Sequence, residues 1–386
     1  MDSDEEEWQD PGLYKPMEYA QRNALRMLRQ HVTVTGASFS SCGRYAACTS
    51  NSGRVAIWDL NQYMKREAWD DENGPDFTPD LTFEVDKSSV NCIKFVGDHL
   101  LLGGDTAVLG WKWQVLLDAM AQEEKPPQPQ LQLSAPQHSN PFARGALAAL
   151  PEVNALAVDK RTGHLFAATG DCNAYEWDLE TQKIVKMFSG HTGYLHSVTC
   201  CPKSGLVLTG GEDGTVGLWD ARSQAKPEFL RALDECVAAK HPRVCNQLKE
   251  GTPSWVSSMQ VDPEGNWLSC GGGTALPQSN KSLGWIGAWH LPTRRVTSAT
   301  CTEAHVQAML YSEDSLISVG AEPMVSYWQW GELALRTRTH CSVESAYALT
   351  RCKNGEHKGT LLVGGNSPLV NVYAYPGNVA FSLKFV

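Results

Sequence analysis

The sequence predicts an all-β fold, a seven-bladed propeller of four-stranded sheets preceded by a short helix. Three observations carry that prediction. A tryptophan or tyrosine closing an alternating apolar run recurs seven times, at Trp58, Trp111, Trp177, Trp219, Trp289, Trp328 and Tyr373. The spacings between these anchors are 53, 66, 42, 70, 39 and 45 residues. Three of them lie close to the ~40–45 residues that four short strands and their turns occupy. Glycine clusters (Gly103-Gly104, Gly210-Gly211, the triplet at 271–273, Gly364-Gly365) fall at one point of the copies, the end of the second strand. Tight turns need small residues there.

The clearest copy begins at Gly190: GHTGYLHSVTCCPKSGLVLTGGEDGTVGLWDAR. A Gly-His pair leads into an alternating strand, a turn at 202–205 and a second strand. The tight turn Glu212-Asp213-Gly214 and a third strand ending in Trp219-Asp220 follow. This layout resembles a WD40 repeat. His191, Thr209, Asp213 and Trp219 stand where such repeats place a buried hydrogen-bonded chain. The tryptophan brings area to bury and an indole N–H that must find a partner. The copies at 37–60 and 152–179 also end in Trp-Asp, and the remaining four are degenerate.

The long spacings mark insertions. After Trp111, the run WQVLLDAMAQEE sets Val115, Leu116, Ala119 and Met120 on one helical face, and a Pro/Gln-rich loop spans 125–141. A second insertion covers 229–252, and a third, 274–284, turns an expected tight turn into a long loop. Segments 183–188 and 295–301 read as outer strands. Segment 379–385 alternates likewise and should give the seventh blade its own fourth strand. Three regions result: a disordered acidic start at 1–15, an amphipathic helix at 16–31, and the propeller at 32–386. The helix places Met17, Ala20 and Ala24 on one face and Arg22, Arg26 and Arg29 on another.

Composition narrows the function classes. The 386 residues carry 33 Lys+Arg against 43 Asp+Glu, a net charge of −10, with 42% hydrophobic residues. Such a balance suits a folded chain and argues against a surface that grips a phosphate backbone broadly, so no tight nucleic-acid binding is expected. No run approaches the ~18 apolar residues of a membrane span, so no membrane partner is expected. The opening MDSDEEEWQD lacks the basic and apolar regions of a signal peptide. The 12 cysteines include no CxxC pair, which disfavours zinc and suggests buried thiols in a reducing compartment. His191 and His196 lack the partners a metal needs. The glycine clusters open no helix, so they cradle no phosphate. No Ser/His/Asp set assembles. The expectation is a non-enzyme with no catalytic residue, metal or cofactor.

Several stretches carry a closer resemblance. LPEVNALAV at 150–158, GDC…DLET at 170–181, GHTGYLH, GGEDGTVGLWD, CGGGTAL at 270–276 and the ending AFSLKF resemble the THO complex subunit 6 family. The resemblance runs from the N-terminal helix to the last residues. It implies a nuclear, non-catalytic scaffold of THO, the core of the TREX assembly that couples transcription and mRNA processing to mRNA export. It also implies contact with other THO subunits, especially the coiled-coil subunits 5 and 7. A competing reading rests on Trp219-Asp220-Ala221-Arg222. This WDxR motif is similar to that of WD40 substrate receptors docking on the damaged-DNA-binding adaptor of cullin-4 ubiquitin ligases, with Arg222 offering a planar fork. Partner contacts of propellers come from loops before each first strand and turns between second and third strands. Tyr194, Glu212, Trp255, Glu303 and Tyr347 occupy such places, and exposed aromatics there are hot-spot candidates.

Overall fold

The computed structural model describes residues 31–64, 77–85, 89–137, 150–223, 225–244, 248–275, 282–313, 315–375 and 378–385. They form seven antiparallel sheets of four strands each, every sheet a simple meander in sequence order. The inner strands are Val34–Phe39, Val90–Val96, Val153–Val158, Leu195–Cys200, Ser254–Val261, Val306–Ser312 and Ala346–Arg351. Each packs beside the inner strand of the next blade, and the last packs beside the first, so the ring is closed. All inner strands run the same way along a central channel. One mouth of the channel therefore collects the loops that precede them and the other the loops that follow.

Each sheet is sandwiched between two neighbours, so its middle strands bury both faces. The second strand of blade 4, Leu206–Gly211, and the Val216-Gly217-Leu218-Trp219 run opposite it are almost wholly buried. The core accordingly lies between blades. All seven aromatic anchors are buried within it. Their indoles find different partners: Trp58 donates to the Phe77 carbonyl at 3.2 Å, Trp111 to that of Pro127 at 2.8 Å, and Trp328 to the Ser318 hydroxyl at 2.8 Å.

The insertions differ in part from their sequence reading. Helix Trp113–Gln122 forms as the periodicity implies. The Pro/Gln-rich stretch is not wholly loop, because Leu131–Leu133 is the outer strand of blade 2. Leu131 and Leu133 turn inward around Gln132, and three residues suffice once the edge of Val108–Lys112 is there to pair. The second insertion likewise begins inside blade 4, whose outer strand is Glu228–Arg231. The helix Ala232–Ala238 follows, and its Glu235 accepts the Trp289 indole N–H at 2.9 Å. This insertion thus satisfies the anchor of blade 5. Outer strands Lys183–Ser189 and Arg295–Thr302 form where expected, and Asn378–Lys384 completes blade 7. The acidic start and the N-terminal helix lie outside the described residues, apart from His31, which is helical.

Candidate functional site

In blade 4, a hydrogen-bonded chain joins a loop, a turn and two strands. The Trp219 indole N–H donates to the Thr209 hydroxyl at 2.7 Å, which stands 2.7 Å from His191 Nε2. His191 Nδ1 lies 2.8 Å from Asp213 Oδ2, so one tautomer satisfies the whole chain. Asp213 also accepts the Thr192 and Thr215 backbone N–H groups. Burial raises its pKa, but the hydrogen bond from His191, the Thr192 N–H and the Thr215 hydroxyl outweigh it and hold the carboxyl well below the usual carboxylate range. The turn requires Gly214, with φ +72° and the Ser254 carbonyl only 2.8 Å from where a Cβ would sit. These groups are consumed by the fold and leave no reactive His–Asp pair.

The residues facing the channel are set by a device repeated in every blade. Each inner strand carries a β-bulge directly after a buried apolar residue near its start: Thr35, Asn91, Asn154, His196, Ser257, Gln307 and Tyr347. A bulge re-aims its extra residue. In four blades the bulge residue donates to the next inner strand: Thr35 to the Val90 carbonyl, Asn91 to Val153 at 3.5 Å, Asn154 to Leu195 at 2.9 Å and Ser257 to Val306. Blades 4, 6 and 7 carry larger side chains there. Sequence reading missed this ring, although its signal is a short polar residue directly after the opening apolar one.

Around the same mouth stand the five residues proposed for partner contact. Tyr194 is 49% exposed, and its carbonyl accepts the Glu212 N–H at 2.8 Å, joining the loop before blade 4 to the turn within it. The exposed Glu212 lies 3.3 Å from His196 Nε2, so Tyr194, His196 and Glu212 form one group. Trp255 is half-buried and meets His305 edge-on at 5.7 Å, while burial lowers the His305 pKa. Tyr347, 39% exposed, stands on blade 7, away from that group. Glu303 is exposed but turns outward, 3.4 Å from Arg338, and lines a cleft of about 340 Å³ between blades 5 and 6. Burial works against the Arg338 charge, and Glu322 with Glu303 holds its pKa above the ordinary value. Arg222 lies at the opposite mouth, in the turn after the third strand of blade 4. Its side chain is 68% exposed and folds back toward Asp220 at 3.4 Å. Among the described residues no cluster of His, Cys, Asp and Glu is placed to hold a metal.

Comparison with known proteins fixes the family. The family model for the WD domain, G-beta repeat, matches residues 22–59 and 182–220. THO complex subunit 6 of Arabidopsis thaliana is 31% identical over 341 residues, covering 85% of this chain and 84% of that protein. The chain belongs to the THO complex subunit 6 family. The human member of the THO complex subunit 6 family is 29% identical over 358 residues, covering 92% of this chain and 94% of its own. The fold of this chain also has a more distant likeness. A chain in a crystal structure of a mitotic checkpoint complex superposes with a TM-score of 0.60 at 14% identity, over 86% of both chains. That likeness concerns the fold alone.

Proposed function

We propose that this chain is a non-catalytic scaffold subunit of the THO/TREX assembly, acting in the nucleus to couple transcription and mRNA processing to mRNA export. The observation that carries the reading is the end-to-end similarity to THO complex subunit 6 proteins, over 84% and 94% of the relatives' lengths. The geometry is compatible with it: the His191–Asp213 pair is spent on holding blade 4 together, and the exposed aromatics Tyr194 and Tyr347 stand at a channel mouth. Tyr194 and Tyr347 offer large rigid contact area there, with the exposed Glu212 beside Tyr194 for a cation. The partners proposed are the other THO subunits, above all the coiled-coil subunits 5 and 7. Affinity purification from nuclear extract, followed by mass spectrometry, tests this. The tagged chain is expected to bring down THO subunits, and the double change Tyr194→Ala, Tyr347→Ala is expected to cut their recovery at unchanged melting temperature. Recovery of no THO subunit by the unmodified chain would overturn the reading.

One observation favours a second reading. Arg222 is the exposed end of the WDxR motif and lies on the other mouth from the aromatics, so cullin-4 adaptor docking would use a separate surface. Its ion pair with Asp220 is exposed and weak enough to be exchanged for a partner carboxylate. Capture of the adaptor that Arg222→Ala abolishes would support ligase docking.

Direct RNA binding is expected to be weak. Affinity for RNA grows with the number of phosphates neutralised, and the compact cationic stripe legible in sequence has only Arg22, Arg26 and Arg29. Titration of purified protein with single-stranded RNA at near-physiological salt should give no sub-micromolar binding. Tight, steeply salt-dependent binding would instead place RNA contact within this subunit.

A further inference from the structure

The cleft between blades 5 and 6 has an apolar floor and two charged ends. Its blade 6 wall is the outer strand Leu335–His340, whose register sets Leu335 opposite Trp328 and Arg338 opposite Ser326. Residues paired in this way share one face of a sheet, and all four line the cleft. Trp328 and Leu333 are buried at its base, whereas Leu335 is 48% exposed. A cavity of about 340 Å³ with such a lining is large enough to seat an apolar side chain and its neighbours.

One end is positive. Arg243, in the insertion after blade 4, is tied to the outer strand of blade 5 by its carbonyl, which accepts the Cys301 N–H at 3.2 Å. Its exposed side chain donates to the Glu332 carbonyl, which also takes the Ser298 hydroxyl at 2.7 Å. Among the described residues no carboxylate lies within ion-pair distance of Arg243. The other end is negative, because Glu303 and Glu322 share the single guanidinium of Arg338. The Glu303 side chain is 82% exposed and 3.4 Å from Arg338, a contact weak enough to be exchanged. From Ser298 to Glu303 the chain advances five residues, roughly 16 Å at the rise of a strand. The wall itself has a free edge. Leu335–His340 is the last strand of its sheet, and a bulge at Arg336 leaves 337–340 as the regular part of that edge.

We infer that this cleft is a docking groove for an extended segment of a partner protein, one that carries a basic, an apolar and an acidic residue at alternate positions. Paired with the free edge of blade 6, such a segment turns positions i, i+2 and i+4 to one face, over roughly 13 Å. Its base meets Glu303, its apolar side chain enters beside Leu335 above Trp328, and its acid meets Arg243. All pairs within this sheet are antiparallel. A strand added in the same sense reaches the Glu303 end first, which fixes the order as base, apolar, acid. The charges at the two ends disfavour the reverse order. The groove lies on the rim of the ring, apart from the mouth that holds Tyr194 and Tyr347. Its role rests on the scaffold reading only in taking a protein as the occupant.

The probe is the fluorescein-labelled peptide Lys-Thr-Leu-Thr-Glu, titrated with the full chain and followed by anisotropy, with Glu-Thr-Leu-Thr-Lys as the reversed control. The first peptide is expected to bind and the second to bind several-fold more weakly. Arg243→Glu should weaken the first by about fivefold or more at unchanged melting temperature. The same variant should gain affinity for Lys-Thr-Leu-Thr-Lys, a reversal that damage to the fold cannot produce. Leu335→Asp should remove binding of every peptide. No saturable binding up to about 1 mM, equal binding of the two peptide orders, or indifference to Arg243→Glu would overturn the proposal. Concentration-dependent dimerisation that Leu335→Asp removes would seat a second copy of the chain in the groove and overturn it too. Recovery of THO subunits is scored separately. Failed peptide binding with THO subunits retained sinks the groove alone, and peptide binding without THO subunits sinks the THO reading alone.

Discussion

Trp219→Ala is expected to lower the melting temperature by about 10 °C. Removing a buried tryptophan side chain costs about 3–5 kcal/mol from lost area and the cavity left behind. Here Phe188 and Phe229 also lose ring contacts at 5.6 and 5.5 Å. A second cost comes from Thr209, whose hydroxyl loses its donor and stays fully buried. At roughly 2–4 °C per kcal/mol for a large domain, the two together give the stated shift. Trp219→Phe separates them: it keeps most of the area and loses the N–H, so it should cost about 1–2 kcal/mol. Asp213 adds a pH signature to the same chain. Its folded pKa lies below its unfolded value of about 3.9, so its contribution is complete above that value and is lost as pH falls toward the folded pKa. The stability gap between the unmodified chain and Asp213→Asn should therefore narrow below about pH 4. Thermal melts across pH check both statements. Equal melting of Trp219→Ala and the unmodified chain would mean that the anchors do not carry the blades.

The anchors were legible because each obeys a local rule: an alternating run, a tight turn, then an aromatic that must be buried. What escaped sequence reading depends on pairing at a distance. Leu131–Leu133 is too short, and too rich in Gln and Pro neighbours, to announce a strand; it becomes one only against Val108–Lys112. Glu235 reads as a solvated helix residue, yet it satisfies the indole of Trp289, 54 positions along the chain. Tyr194, His196 and Glu212 are near enough in sequence to be grouped in advance, and the structure groups them. Trp255 and Tyr347 carried no such local signal, and they stand on separate blades.

Ring closure itself is the subject of the second large effect. Deleting residues from 378 onward is expected to abolish the cooperative fold. The outer strand Asn378–Lys384 pairs along the whole of Leu369–Tyr375, and its removal exposes that edge. It also takes Phe381, Leu383 and the following Phe385 from the cluster that joins blade 7 to blade 1, where they pack with Val34, Trp58, Val370 and Val372. Phe385 faces the Trp58 ring at 6.2 Å, and its N–H donates to the Pro368 carbonyl at 2.7 Å. The Lys384 N–H meets the Phe77 carbonyl of the segment leading to blade 1's outer strand at 2.9 Å. Three buried apolar side chains, at about 2–5 kcal/mol each, approach or exceed the ~5–15 kcal/mol that a folded domain has in hand. The truncated chain should therefore be insoluble or lack a sharp melt. Two point changes keep the test informative if it cannot be purified. Phe385→Ala should cost about 3–5 kcal/mol and speed proteolysis at the junction of blades 7 and 1. Val379→Ala, on the same strand but 40% exposed, should be nearly silent. A truncated chain that melts sharply at the unmodified temperature would mean that some other segment closes the ring, with the residues before Val34 the first to test by deletion.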